Sequence, residues 1–474
     1  MKVVHLGLLC SAEALLLFGV SSAQAPPTSS QPQSLDRALQ FARAHRYAEA
    51  EAAIKGIPPP AEREQRISFF RLKAAIAEGL GNANAAAEDM EAAAKLAPKD
   101  VNLQLGSGIA RLQAQVKSHE NPSATLRSLR SVGLPPASEL DLRLRMAEIL
   151  TRANLYAEAV VDFEAASRLG PSRSDILYNL ALARFHTSQW DAALESGERV
   201  KALEDSASLE SLIGDIQEKR GDALAAVHSY QAAVALEPGE ERHRLALGVE
   251  FLRHQTFDAA LLVFEQSAAL FPQSVRVKIL LGLTYYLVDR SPDAIRSLLE
   301  ASQLDPKDEI AARYLGEITL QDTATPNSAA VTQLCGFADE QQNFKNASVF
   351  CGGALLRVAR DTEDYARKPE ILRRLQQAER AAPGEPTAHC ELGKAFEWTE
   401  QWQEARTQTE ACVRLQPDSS EGHYRLSRIY RRLGLKILAK QQTLLQQQAV
   451  QRQSEESVRR ANTVTRFLFL LEHQ

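Results

Sequence analysis

The chain is poor in aromatic residues. Phe, Trp and Tyr make up only 6% of 474 residues, with three tryptophans and three methionines. Its apolar share leans instead on Ala and Leu, the composition of packed helices and not of sandwiches built from aromatic and β-branched strands. No charge of one sign dominates: 55 Lys and Arg stand against 60 Asp and Glu, a formal net of −5, which leaves no chain-wide footprint for nucleic acid. Beyond the N-terminus no run approaches the roughly 18 apolar residues of a spanning helix. Catalytic signatures are missing too. There is no G-x-x-x-x-G-K-S/T, no G-x-G-x-x-G after a strand, no H-E-x-x-H and no G-x-S-x-G. Gly106-Ser107-Gly108 lies within a helical stretch and reads as packing. His389 and Cys390 are adjacent on one helix, so their side chains diverge by about 100° and make a poor nucleophile and base. Cys/His spacing for zinc is absent. These absences predict no enzyme, no cofactor, no metal and no small-molecule substrate. The hydrophobic share of 45% is nevertheless enough for a large core.

The first residues have the form of an export signal: Lys2, an apolar stretch ending in Leu15-Leu16-Leu17-Phe18-Gly19-Val20, then Ser21 and Ala23 as small residues before a cut after Ala23. Glu13 weakens the apolar stretch, and an uncleaved anchor is the alternative. The expected location is periplasmic or extracellular. Residues 24–34, with Pro26, Pro27 and Pro32, read as a flexible linker.

Periodicity is the strongest signal present. Pro238, Pro272 and Pro306 stand 34 residues apart, as do Pro383 and Pro417. Five residues before Pro171, Pro238, Pro272, Pro306 and Pro417 comes a small residue: Ala166, Ala233, Ser267, Ala301, Cys412. A second small column reads Ala159, Ala193, Ala226, Ala260, Ala294, Ala405, and a third Ala147, Ala181, Gly214, Gly248, Gly282, Gly316, Gly393. Large apolar residues sit between them: Phe163, Tyr230, Phe264, Leu298. Small residues let antiparallel helices approach while large ones fill the gaps between turns. Each hairpin alone leaves an apolar face bare, so neighbours must stack on it.

This pattern resembles the tetratricopeptide repeat, over roughly Leu35 to Leu445. The resemblance implies an all-α fold, a right-handed α-solenoid of roughly ten to twelve antiparallel helix hairpins. The expected organisation is degenerate hairpins at 35–139, a regular array at 140–320, an irregular segment with an insertion near Asp322 at 321–385, two further units at 386–445 and a capping helix at 446–474. Helix phase is ambiguous in 101–139 and 320–382. In the tail, the apolar cluster Phe467-Leu468-Phe469-Leu470-Leu471 is expected to pack back on the array, or else to meet a partner or membrane.

The resemblance also implies protein or peptide partners, bound along a groove lined by positions 2, 5, 9, 12 and 13 of each first helix. Those positions hold Tyr178, Leu182 and Phe185, then Arg242, Leu245, Val249 and Leu252, then Arg276, Ile279, Leu283 and Tyr286. The Lys, Asn and Arg clamp of the chaperone-tail-binding members is absent. Either these residues pack adjacent first helices together, or they form an open apolar groove in which Val249, Leu283 and Tyr286 carry binding energy. The final unit instead offers Arg428, Arg431 and Arg432, suited to an acidic segment. From Ser420 onward ten Lys and Arg face four acids, so membrane contact is expected only through the ends. The function expected is a non-catalytic exported scaffold. The alternatives are a tethering subunit of envelope-polymer assembly or secretion, and a hydrolase hidden in the degenerate segments.

With Cys10 removed by signal cleavage, Cys335, Cys351, Cys390 and Cys412 remain. Cys335 and Cys351 fall on consecutive antiparallel helices and are the expected bridge. Cys390 and Cys412 share a hairpin, but Cys412 reads equally as a buried small hydrophobe.

Overall fold

The computed structural model describes residues 30–321, 328–341 and 344–453. The export segment, the linker up to residue 29, the insertion at 322–327 and the apolar cluster at 467–471 lie outside the described residues. Among those described there are 24 α-helices and no strand. The chain divides into two compact units, residues 1–222 and 223–474.

Unit 1 is a stack of antiparallel helix pairs: Ser30–Arg43 with Tyr47–Ile54, Arg63–Gly79 with Ala83–Leu96, Val101–Lys117 with Ser123–Arg130, Pro136–Arg152 with Tyr156–Leu169, and Ser174–His186 with Trp190–Lys201, followed by Ala207–Arg220. Unit 2 starts with Ala223–Leu236. It continues through Glu241–Arg253 with Phe257–Leu270, Val275–Leu287 with Ser291–Leu304, Glu309–Gln321 with Ser328–Glu340, Ala347–Asp361 with Lys368–Ala381, Pro386–Trp398 with Trp402–Leu415, and Ser420–Arg432 with Lys436–Gln453. Several boundaries move. The first helix begins at Ser30, inside the expected linker, with Pro32 in its first turn where a missing N–H costs no bond. The expected limits at 139/140 and 445/446 both fall inside single helices, Pro136–Arg152 and Lys436–Gln453.

The three small columns of the sequence are the contact lines of the pairs. Ala159, Ala193, Ala226, Ala260, Ala294 and Ala405 are all fully buried, and Gly248, Gly282 and Gly393 lie where the second helix of the pair comes closest. The distances show why a side chain is excluded there. A Cβ on Gly248 would stand 2.4 Å from Cζ of Phe264, and one on Gly282 would stand 2.7 Å from Cγ of Leu298. The large column therefore fills the space that the glycine column leaves.

The turns inside the pairs share one device. The residues Asn154, Ser188, Gln255, Asp289 and Glu400 all have φ between 58° and 61°, and Gly434 takes the same left-handed place. The next N–H then reaches back to a carbonyl of the helix's last turn, from Leu155 to Leu150 (2.9 Å), Thr256 to Phe251 (2.8 Å) and Leu435 to Tyr430 (2.8 Å). Starts of first helices are closed by side chains, as in Ser274 Oγ accepting from the Val277 N–H (3.2 Å) and Asp308 Oδ1 from the Ala311 N–H (2.7 Å).

Where the columns fade, other contacts hold the stack. In unit 1 the second helix shrinks to Ser123–Arg130, Gly106 meets Met90 and Gly108 meets Leu129, which confirms the packing reading of these glycines. Arg130 donates two hydrogen bonds to the fully buried carboxylate of Asp162 (3.1 and 2.7 Å), and Arg143 adds a third (3.0 Å). In unit 2 the phase left ambiguous by the sequence is settled by Gly316. It faces Phe350 of Ala347–Asp361, which belongs to the next pair. Arg374 grips Asp339 through both oxygens (2.8 and 3.1 Å) across the same irregular stretch.

Both cysteine pairs are joined: Cys335 to Cys351, with Cα atoms 4.7 Å apart, and Cys390 to Cys412, 5.0 Å apart. The second pair thus combines the two readings the sequence left open, because Cys412 is bonded and buried in its small-residue column.

Candidate partner-binding cleft

The sequence left two readings of these apolar positions, packing between first helices or an open groove, and most of the residues are core. In unit 1, Tyr178 and Leu182 pack with Leu209, Leu212 and Ile216 of a neighbouring helix, and only Phe185 stays partly accessible, edge-on to Trp190. In unit 2, Leu252, Ile279 and Leu283 are buried in one large cluster, with Leu245, Val249 and Tyr286 packed partly buried against it. Leu283 is 0% exposed and cannot present binding surface, so its assignment to a partner is corrected. The first helices stack directly on one another, Val275–Leu287 on Glu309–Gln321 and Glu309–Gln321 on Ala347–Asp361, and the apolar positions are consumed there. Arg242, Arg276, Arg428, Arg431 and Arg432 are exposed.

What unit 2 does open is a cleft of about 910 Å³ farther along, at the same inward-facing side of its first helices. Tyr286 and Arg425 are both among the residues that line it. Its walls are charged. Glu391 accepts from Lys394 Nζ (2.8 Å), Lys394 also pairs with Glu421 (3.1 Å), and Arg425 bridges Glu421 (2.9 Å) and Glu397 (3.0 Å). Arg428 ends the series 3.2 Å from the other Glu397 oxygen, as an ion pair without hydrogen-bond alignment. Six alternating charges thus run along two consecutive first helices, and Glu391, Lys394 and Glu397 are buried. Burial pushes the Glu421 carboxyl up, but Lys394 and Arg425 outweigh it and hold the group below the usual glutamate range. Burial likewise opposes the Arg425 charge, and Glu421 with Glu397 more than compensates. The Glu391 carboxylate lies this deep because Gly353 opposite has no side chain, a Cβ there falling 3.2 Å from Glu391 Oε2. Arg360 is exposed on the rim and engages no carboxylate among the described residues.

The atoms that could have suggested catalysis are otherwise occupied. The His389 ring bonds Gln408 through Nδ1 (2.7 Å) and the Pro383 carbonyl through Nε2 (2.9 Å), and His423 repeats this with Gln442 (2.6 Å) and Pro417 (2.8 Å). Cys390 is in its disulfide. Among the described residues no group of His, Cys, Asp and Glu could hold a metal.

Comparison with known proteins bears on this architecture. Residues 144–207 and 212–275 match the family model of the tetratricopeptide repeat. The chain carries tetratricopeptide repeats. The curated relative found, the BBSome complex member BBS4 homolog of Drosophila melanogaster, is 24% identical over 265 residues, 54% of each chain. The chain therefore spans about half the length of the curated relative it matches. Among solved structures, the C-terminal part of a tetratricopeptide-repeat protein from Cytophaga hutchinsonii is 17% identical over 60% of this chain and 98% of that one, with a TM-score of 0.43. YrrB, described as a tetratricopeptide-repeat protein with an unusual peptide-binding site, is 20% identical over 36% of this chain and 89% of that one, with a TM-score of 0.32. The columns that run from Ala147 to Ser267 fall within the matched residues, and the cleft lies beyond them, on helix pairs that continue the same spacing.

The sequence signal for the cleft was weak. Glu391, Lys394, Glu421 and Arg425 are ordinary charged residues on amphipathic helices, and only their meeting across two helices distinguishes them.

Proposed function

We propose that the chain is a non-catalytic protein-interaction scaffold, and that the inner cleft of unit 2 receives an extended or helical segment of a protein partner. The observation that carries this reading is the cleft itself: about 910 Å³ open to solvent, on the first-helix side of the repeats, walled by fixed charges. A pocket of that size with charges already oriented favours a segment of mixed polarity over an apolar helix, because buried ion pairs must be matched when water leaves. Export to an oxidising compartment, periplasmic or extracellular, is part of the proposal. It is supported by two disulfides and by the form of residues 1–23, with the mature chain starting at Gln24.

Site-specific crosslinking tests the scaffold reading. A photo-reactive residue at Arg360, on the cleft rim, should trap a defined protein in the native compartment. The same probe at Leu262, exposed on a second helix, should not. Equal trapping from both positions, or none from Arg360, overturns the assignment of the cleft. N-terminal sequencing of the mature protein checks the cut after Ala23.

A further inference from the structure

The last helix pair of unit 2, Ser420–Arg432 with Lys436–Gln453, contains seven Arg and Lys and one acid, Glu421. Three of these cations are neutralised: Arg425 and Arg428 by the cleft network, and Arg452 by Asp418 (2.9 Å). The other four crowd the turn that joins the helices. Arg431 donates only to the hydroxyl of Thr443 (3.2 Å), Arg432 lies over the ring of Trp402 (5.2 Å), and Lys436 and Lys440 are exposed. None of the four meets a carboxylate among the described residues. On the preceding helix Glu410 is held by Arg406 and Tyr430, leaving Glu404 as the other acid of this region. Between the cations stands Ile437, 84% exposed, the most exposed large apolar side chain among the described residues. Lys440 and Leu444 follow it at i+3 and i+7, on the same helix face, and Leu444 is 55% exposed.

We propose that this turn docks the protein on an anionic bilayer surface. Four cations without carboxylate partners suit lipid phosphates and carboxylates. The side chains of Ile437 and Leu444 would enter the boundary between headgroups and acyl chains, with Lys440 extending its charge back to the surface. An acidic protein segment is the competing occupant. It would satisfy the cations but leave a protruding isoleucine wet, and for that reason the bilayer is favoured.

Flotation of the full chain with vesicles tests this. The protein should float with vesicles of phosphatidylcholine and phosphatidylserine, not with phosphatidylcholine alone, and added salt should release it. Each neutralised cation should weaken partitioning about five-fold, so the R431Q/R432Q/K436Q/K440Q variant should lose several hundred-fold. Ile437→Gln should lose about ten-fold without changing the salt dependence. All five side chains are on the surface, and an unchanged helical circular dichroism spectrum confirms that the fold is kept. Equal flotation with neutral vesicles, or undiminished flotation of the four-charge variant, overturns the proposal. So does a variant that floats normally while losing capture of a polyglutamate peptide.

Discussion

Substituting alanine for glycine has opposite effects at two helical positions of unit 2, and the difference measures the interhelical fit. Gly336 lies in mid-helix in Ser328–Glu340, with nothing within 4 Å of a new Cβ. Gly336→Ala should therefore gain the full helix-propensity difference, about 1 kcal/mol. Gly248 has the same backbone conformation, but its Cβ would fall 2.4 Å from Cζ and 2.5 Å from Cε1 of the fully buried Phe264 ring. Relieving that overlap needs a shift of about 1 Å in a packed interior, an overpacking cost of about 2–3 kcal/mol. After the propensity gain of about 1 kcal/mol, Gly248→Ala should be destabilising by about 1–2 kcal/mol. The two variants should therefore differ by about 2–3 kcal/mol. Urea unfolding followed by circular dichroism reads this as midpoints moving in opposite directions at constant slope. If Gly248→Ala matches Gly336→Ala, the helices do not approach as described and the packing argument fails.

Three further outcomes are expected. Reducing the disulfides opens loops of 16 and 22 residues, and loop closure assigns each about 3 kcal/mol, so thiol-treated protein should unfold at clearly lower urea unless the bridges are absent in solution. Glu400→Gly should stabilise by about 0.5–1 kcal/mol, since Glu400 holds φ 58° at a place that Gly434 fills one repeat later; a loss measured by thermal melting would show that Glu400 makes contacts of its own. Glu421 is held below its ordinary range by Lys394 and Arg425 against the opposing effect of burial, and Asp339 by its hydrogen bonds from Arg374. Both carboxyls have folded values below their unfolded ones, so their stabilisation is present above about pH 4–5 and is lost as pH falls through the folded values. Urea midpoints should fall below about pH 4, and Asp339→Asn should make that fall shallower.

Repetition itself was open to reading from one sequence. The proline spacing and the columns Ala159 to Ala405 and Gly248 to Gly393 survive because every repeat solves the same contact problem, and a helix pair cannot close without a small residue at its point of approach. The left-handed turn residues repeat as regularly but were invisible, since Asn154, Ser188, Gln255, Asp289 and Glu400 share a backbone shape and not a side chain. The irregular stretch was hidden for a related reason: Gly316 keeps its column, while the Phe350 that fills it comes from the wrong helix for the pattern.

What the sequence determined alone was local and periodic: helix pairs, their small and large faces, and an even set of cysteines. The Cys335–Cys351 bridge was already the expected one, whereas whether Leu283 lies open or buried, and where six alternating charges meet, depend on how one pair rests on the next. Those contacts connect residues up to 37 apart, from Leu320 to Arg357, and hydrophobic periodicity within a single helix does not encode them. Of the two readings that position left open, packing of adjacent first helices is the one realised, because stacked first helices bury more surface by touching than by standing apart. The opening moved to where charges, costly to bury without partners, line the first helices.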